Sequence, residues 1–123
     1  MAKSRWPRPK PKPGRPRNEA ERRAARWYRL RGYRIVGTNV WIAGFELDVI
    51  ACRGRTLVFC EVKSKSGTAF GDPLEMVTPE KIRRIRRATE TWLDARRAYA
   101  GYLVRYDVIA VRGQRLECIR RAF

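Results

Sequence analysis

Two short runs, G-F-E-L-D-V-I-A at residues 44–51 and V-F-C-E-V-K at residues 58–63, place charge inside segments otherwise suited to burial. Charge taken out of water needs a compensating partner. Side chains alternate across an extended strand, so Glu46 and Asp48 share one face of the first run, and Glu61 and Lys63 one face of the second. Should the two strands pair in register, Asp48, Glu61 and Lys63 meet on one small patch. Clustered carboxylates repel unless a proton or cation sits between them, and hard oxygen donors without His or Cys beside them favour Mg²⁺ or Mn²⁺. An ammonium beside a metal-bound water can orient that water or stabilise charge developing on a phosphate. The structural alternative is plain: Glu61 and Lys63 as a solvated ion pair worth less than about 1 kcal/mol, and Asp48 capping a strand end or meeting an arginine.

Several elements must position these side chains. The run N-E-A-E-R-R-A-A-R-W-Y-R-L-R-G reads as a helix opened by Asn18 and closed by Gly32, with Ala20, Ala24, Trp27 and Tyr28 at helical spacing. In it, Glu21 lies at the edge of the apolar face and is the helical candidate for a further acid at the site. Acids near a helix N-terminus are also favoured by the dipole alone. Strands are expected at Tyr33–Trp41, Phe45–Ala51 and Thr56–Lys63, the last two forming a hairpin around Arg53, Gly54 and Arg55. Residues 64–78 read as a long loop. A second helix starts with Thr78 as cap and Pro79 at its first position. It buries Ile82, Ile85, Thr89, Trp92 and Leu93, and presents Arg83, Arg84, Arg86 and Arg87 on the other face. Two more strands, Tyr102–Val111 and Arg115–Ile119, turn at residues 112–114. The order helix, three strands, helix, two strands predicts a mixed α/β domain.

Length and charge narrow the function. The chain has 123 residues, enough for one core, and carries 29 Lys and Arg against 12 Asp and Glu, a net charge of +17. Such self-repulsion calls for a polyanionic partner, nucleic acid before membrane. There is no histidine, which removes His-based triads and His-ligated zinc or haem. Cys52, Cys60 and Cys118 are odd in number and lack metal-binding spacing, so they are expected reduced in a cytoplasmic protein. No apolar run reaches the ~20 residues of a membrane span. Residues 1–17 hold seven basic residues, five of the seven prolines and no acid; a disordered, semi-stiff cationic arm is expected there, ahead of a folded domain over residues 18–123. Of the four tryptophans, Trp27, Trp41 and Trp92 are expected in the core, leaving Trp6 of the arm to stack on bases.

The succession E-R-R-A-A-R-W-Y, R-G-Y-R-I, G-F-E-L-D-V-I-A and L-V-F-C-E-V-K-S-K resembles the bacterial YraN-like family of proposed endonucleases, over nearly all the chain beyond the arm. The resemblance implies a restriction-endonuclease-like mixed β-sheet flanked by helices, of the PD-(D/E)xK kind, similar to Holliday-junction resolvases. It puts Asp48, Glu61 and Lys63 at the D, E and K positions, and Glu21 where related nucleases carry an acid on the first helix. Lys81 and the R-Y-D-V-I-A run match later family features without an assigned chemical role. Phe45 separates Gly44 from Glu46, where the family usually has an uninterrupted G-E pair.

The resulting expectation is a Mg²⁺- or Mn²⁺-dependent endonuclease hydrolysing DNA, branched or structured DNA included. Asp48 and Glu61 would bind metal with the Val62 carbonyl, Lys63 would position water or steady the phosphate, and Glu21 would assist. Arg83, Arg84, Arg86 and Arg87 would grip phosphates without reading sequence. The rival is a basic DNA- or RNA-binding protein with a vestigial nuclease site. A homodimer is compatible with cutting two strands, though no residue demands one.

Overall fold

The first helix forms because alanines recur at its inner positions while its ends carry charges that suit the dipole: Glu19 and Glu21 in the first turn, Arg26 and Arg29 in the last. The structure, a computed structural model, describes residues 19–65 and 77–123. The expected arm, the Asn18 cap and most of the expected 64–78 loop lie outside the described residues. In chain order the elements are α1 (Glu19–Arg29), β1 (Arg34–Ile42), β2 (Phe45–Arg53), β3 (Thr56–Lys65), α2 (Pro79–Ala95), a 3-10 turn (Arg97–Tyr99), β4 (Leu103–Arg112) and β5 (Arg115–Ile119). Helix α1 ends as its sequence predicts. Gly32 adopts φ +86°, and the amides of Tyr33 and Gly32 return to the carbonyls of Tyr28 and Arg29 at 3.0 and 3.1 Å.

One mixed sheet holds all five strands in sequence order. Neighbours run antiparallel except β3 and β4, which are parallel and joined through α2. Strand β3 runs two residues past its expected end, because Ser64 and Lys65 are held against Val111 and Arg112 of β4 despite weak strand preference. Helix α2 starts at the expected cap, with the Lys81 amide donating to Thr78 Oγ1 at 3.2 Å and Pro79 in the first turn.

The alternation of β2 and β3 builds a core on each side of the sheet. Val49, Ala51, Val58 and Cys60 pack under α1 with Ala20, Ala24 and Tyr28. Ile50, Leu57 and Phe59 pack under α2 with Ile85, Ala88 and Trp92. The helices therefore cover opposite faces of a three-layered mixed α/β domain, as expected. Trp92 fills the core, and Trp27 is half-buried against its edge. Trp41, expected inside, is instead half-buried and lines an open cleft, because it lies at the end of edge strand β1 where neither helix covers it. The three cysteines are free thiols; burial first, then neighbouring charge, raises the Cys60 thiol and pushes Cys118 up to about 11. Among the described residues no helix is long and apolar enough to cross a membrane.

Candidate functional site

The ladder between β2 and β3 pairs Val49 with Cys60 and is not continued beyond it. Past that point a side chain replaces the backbone link: the Val62 N–H donates to Asp48 Oδ2 at 2.9 Å. An acid at position 48 thus serves the sheet by accepting an amide that would otherwise go unpaired. The strands leave between them a cleft of about 320 Å³, lined by Glu46, Asp48, Glu61, Val62 and Lys63 of the strands, with Trp41, Gly44 and Phe45 at its rim. Glu21 reaches it from α1 and Lys81 from α2. Side chains from both helical layers thus reach the cleft where the two strands part.

Asp48, Glu61, Lys63 and Glu21, chosen from the sequence, are brought together here. Glu61 is only 7% exposed, and its Oε2 lies 3.6 Å from Lys63 Nζ and 2.7 Å from Lys81 Nζ. One carboxylate oxygen therefore serves two ammonium groups. Glu21 is equally buried and accepts a hydrogen bond from Asn39 Nδ2 at 2.8 Å, which fixes its carboxylate toward the sheet. Asn39 holds φ +52° inside β1, a left-handed conformation that asparagine tolerates better than most residues.

Sequence reasoning missed Asn39 as a positioning residue and gave Lys81, named through the family resemblance, no chemical role. Lys81 is a cation in the first turn of a helix, where the dipole disfavours one; that local conflict, three residues beyond a clear Thr-Pro start, was the available signal. Asn39, a lone amide within an otherwise β-prone run, was the other.

The electrostatics follow from crowding. Burial, then the charges of Glu61, Glu21 and Glu46, raise the Asp48 carboxyl well above the usual range, against the opposing hydrogen bond from Val62. Burial and then Lys81 lower Lys63, against the attraction of Glu61 and Asp48. For Lys81 burial pulls downward, but hydrogen bonding to Glu61 and Lys63 prevails and the group is raised. Asparagine at 48 would keep an oxygen for the Val62 amide and remove the charge. Asp48→Asn is accordingly expected to raise Tm in chelator by several degrees, since ~1 kcal/mol corresponds to roughly 4–8 °C at this size. An acid raised by folding binds its proton more tightly folded than unfolded. Its cost is absent below the unfolded value and grows as pH rises through the folded one. The Tm gap between variant and wild type should widen with rising pH; a gap constant between about pH 5 and pH 8 would contradict this.

For a metal, the donor set is two carboxylates, Asp48 and Glu61, with the Val62 carbonyl. Among the described residues no three acidic or cysteine side chains form a ready cage. The set suits an ion such as Mg²⁺, which is held by one or two carboxylates and keeps several waters, better than one demanding a full protein cage. The acid crowding that raises Asp48 is what a divalent cation would relieve.

All four expected phosphate-binding arginines, Arg83, Arg84, Arg86 and Arg87, are exposed on α2, with Arg83 and Arg84 at 3.3 and 3.1 Å from Glu80. Arg86 also stands near two rings. Its guanidinium lies 5.9 and 5.8 Å from the ring centres of Tyr106 and Phe123.

Fold and cleft together define a basic α/β protein with paired carboxylates and lysines at the open end of a mixed sheet. The chain belongs to the uncharacterised protein family UPF0102, whose model matches residues 20–111; this is the YraN-like family of the sequence resemblance. It is 46% identical over 91 residues to a UPF0102 protein of Beutenbergia cavernae, covering 74% of this chain and 76% of that one. Identity to the UPF0102 protein of Leifsonia xyli is 43% over 88 residues, covering 72% and 74%. With that of Acidothermus cellulolyticus it is 38% over 117 residues, covering 84% and 89%.

Proposed function

We propose that this protein is a metal-dependent endonuclease of the restriction-endonuclease-like kind, hydrolysing phosphodiester bonds of DNA in the cytoplasm, with branched or structured DNA the first substrates to test. The observation that carries the reading is the convergence of Asp48, Glu61 and Lys63 on one open cleft of a chain with net charge +17. Asp48, Glu61 and the Val62 carbonyl would hold Mg²⁺ or Mn²⁺. When bound, the ion supplies charge neutralisation for phosphate and a more acidic water. Lys63 orients the attacking water or steadies the phosphate. Lys81 holds the Glu61 carboxylate in one orientation and adds a second positive charge. Glu21, fixed by Asn39, offers a further acid to metal or water, and Arg83, Arg84 and Arg87 contact phosphates beside the cleft.

The test is cleavage of plain, flapped and four-way-junction DNA with Mg²⁺ or Mn²⁺ by wild type and Lys63→Ala. Loss of a positioned water-orienting group is expected to slow cleavage by at least ~10²-fold. Equal rates would remove the proposed site. One observation favours a second reading, a nucleic-acid-binding protein without catalysis: Lys81 at 2.7 Å from Glu61 already neutralises part of the acid cluster internally. The readings separate by thermal shift, because acids that bind Mg²⁺ stabilise the fold increasingly, with the logarithm of its concentration above Kd, whereas an internally paired cluster does not respond.

A further inference from the structure

The far end of the sheet carries a second concentration of charge that the cleft does not use. Arg31 and Arg34 stand at the approach to β1, Arg53 and Arg55 at the β2–β3 turn, and Arg96 and Arg97 beyond α2; all six are exposed. The three segments they occupy, residues 29–35, 53–57 and 95–104, contain no Asp or Glu, the nearest acid along the chain being Asp94. Among the described residues none of the six meets a carboxylate. Arg31, Arg53 and Arg55 are held instead by neutral partners. Arg31 lies 3.8 Å from the Trp27 ring centre, Arg53 donates to the Arg31 carbonyl at 2.9 Å and lies 5.2 Å from the Tyr33 ring centre, and Arg55 lies 4.9 Å from that of Tyr102. These contacts restrain guanidinium groups while leaving their charge unspent.

The region is separate from the cleft. Arg55 and Lys63 lie eight residues apart on one extended stretch, roughly 25 Å at the rise of a strand, and the path along α2 from Lys81 to Arg96 is ~22 Å. Along the outer ridge of α2, the exposed Glu90 and Asp94 interrupt the basic run of Arg83, Arg84 and Arg87. We infer that the arginines at this pole form a second binding surface, for the phosphate backbone of a DNA duplex, independent of the carboxylate and lysine cleft. Planar guanidinium groups held at several points, with no acid among them, suit an extended row of phosphates. The inference rests on the reading of the partner as nucleic acid but requires no catalysis.

The test is fluorescence anisotropy with a labelled DNA duplex across a salt series, using full-length wild type, Arg53→Ala/Arg55→Ala, and Arg97→Glu. The double variant should bind at least ~5-fold more weakly, with a salt slope flatter by roughly two phosphate contacts. Arg97→Glu should weaken binding as well. Among the described residues the exposed Arg97 side chain makes no hydrogen bond, ion pair or ring contact, so this variant decides the matter should the double variant fail to fold. Wild-type affinity and slope in the folded variants would overturn the second surface alone. Absence of duplex binding by wild type at low salt would overturn the nucleic-acid reading and the surface with it.

Discussion

Glu61→Gln is expected to abolish the proposed metal-dependent cleavage, a loss of at least ~10²-fold. Its carboxylate holds Lys81 at 2.7 Å and Lys63 at 3.6 Å, and it borders Asp48. An amide of the same shape cannot neutralise two ammonium groups. The lysines would then repel each other, Lys63 would leave its position, and one of the two anionic donors for metal would be gone. DNA binding should persist or tighten, because a negative charge is lost from the surface proposed to meet phosphates. Single-turnover cleavage beside anisotropy binding separates the two effects. A variant that cuts within a few-fold of wild type would show that Glu61 is a structural ion-pair partner and no more.

Asp107→Ala is expected to cost ~3–5 kcal/mol and to lower Tm by more than about 12 °C, the largest stability effect of any charged residue here. Asp107 is fully buried. Its Oδ2 accepts from Tyr28 Oη at 2.6 Å and Arg105 Nη2 at 3.0 Å, and its Oδ1 from Arg105 Nε at 3.0 Å and the Arg121 amide at 3.2 Å. Arg105 also donates to Tyr33 Oη at 3.1 Å, so one acid ties α1, the start of β1, β4 and the C-terminal segment together. Burial, nearby thiols and Asp107 itself drive the Tyr28 phenol far upward, so it remains a donor. Alanine would strand a guanidinium and a phenol away from water, whereas Asp107→Asn keeps an acceptor and should cost less. Urea unfolding of both variants measures this; a loss below ~1 kcal/mol for alanine would show that water replaces the carboxylate without penalty.

Much of this was legible in the sequence because it is written in local periodicity. The alanine spacing of α1, the Thr78-Pro79 start of α2 and the strand alternation each depend on residues a few positions apart. Asp48, Glu61 and Lys63 stood out because charge inside apolar runs contradicts its surroundings. What escaped depends on tertiary placement. Lys81 was named by resemblance but without a role, because it lies twenty residues beyond Glu61 and meets it only where α2 begins at the open end of the sheet. Asn39 acts through a left-handed backbone that no spacing rule predicts. Trp41 looked like core because its strand is apolar, yet an edge position with no helix above it leaves the ring at the cleft. The Asp107 network joins residues 28, 33, 105, 107 and 121, and the R-Y-D run gave no sign of which partners it would find.

The parallel pairing of β3 with β4 also bears on how the polypeptide is made. Every residue from Thr56 to Lys65 waits for a partner between Leu103 and Arg112, and all of α2 must be synthesised first. During elongation the nascent chain therefore carries a β-strand rich in Leu, Val and Phe with one unsatisfied margin, the kind of surface that recruits other chains. Synthesis of β4 closes that margin, so premature termination before Leu103 would leave an aggregation-prone fragment in place of a smaller working protein.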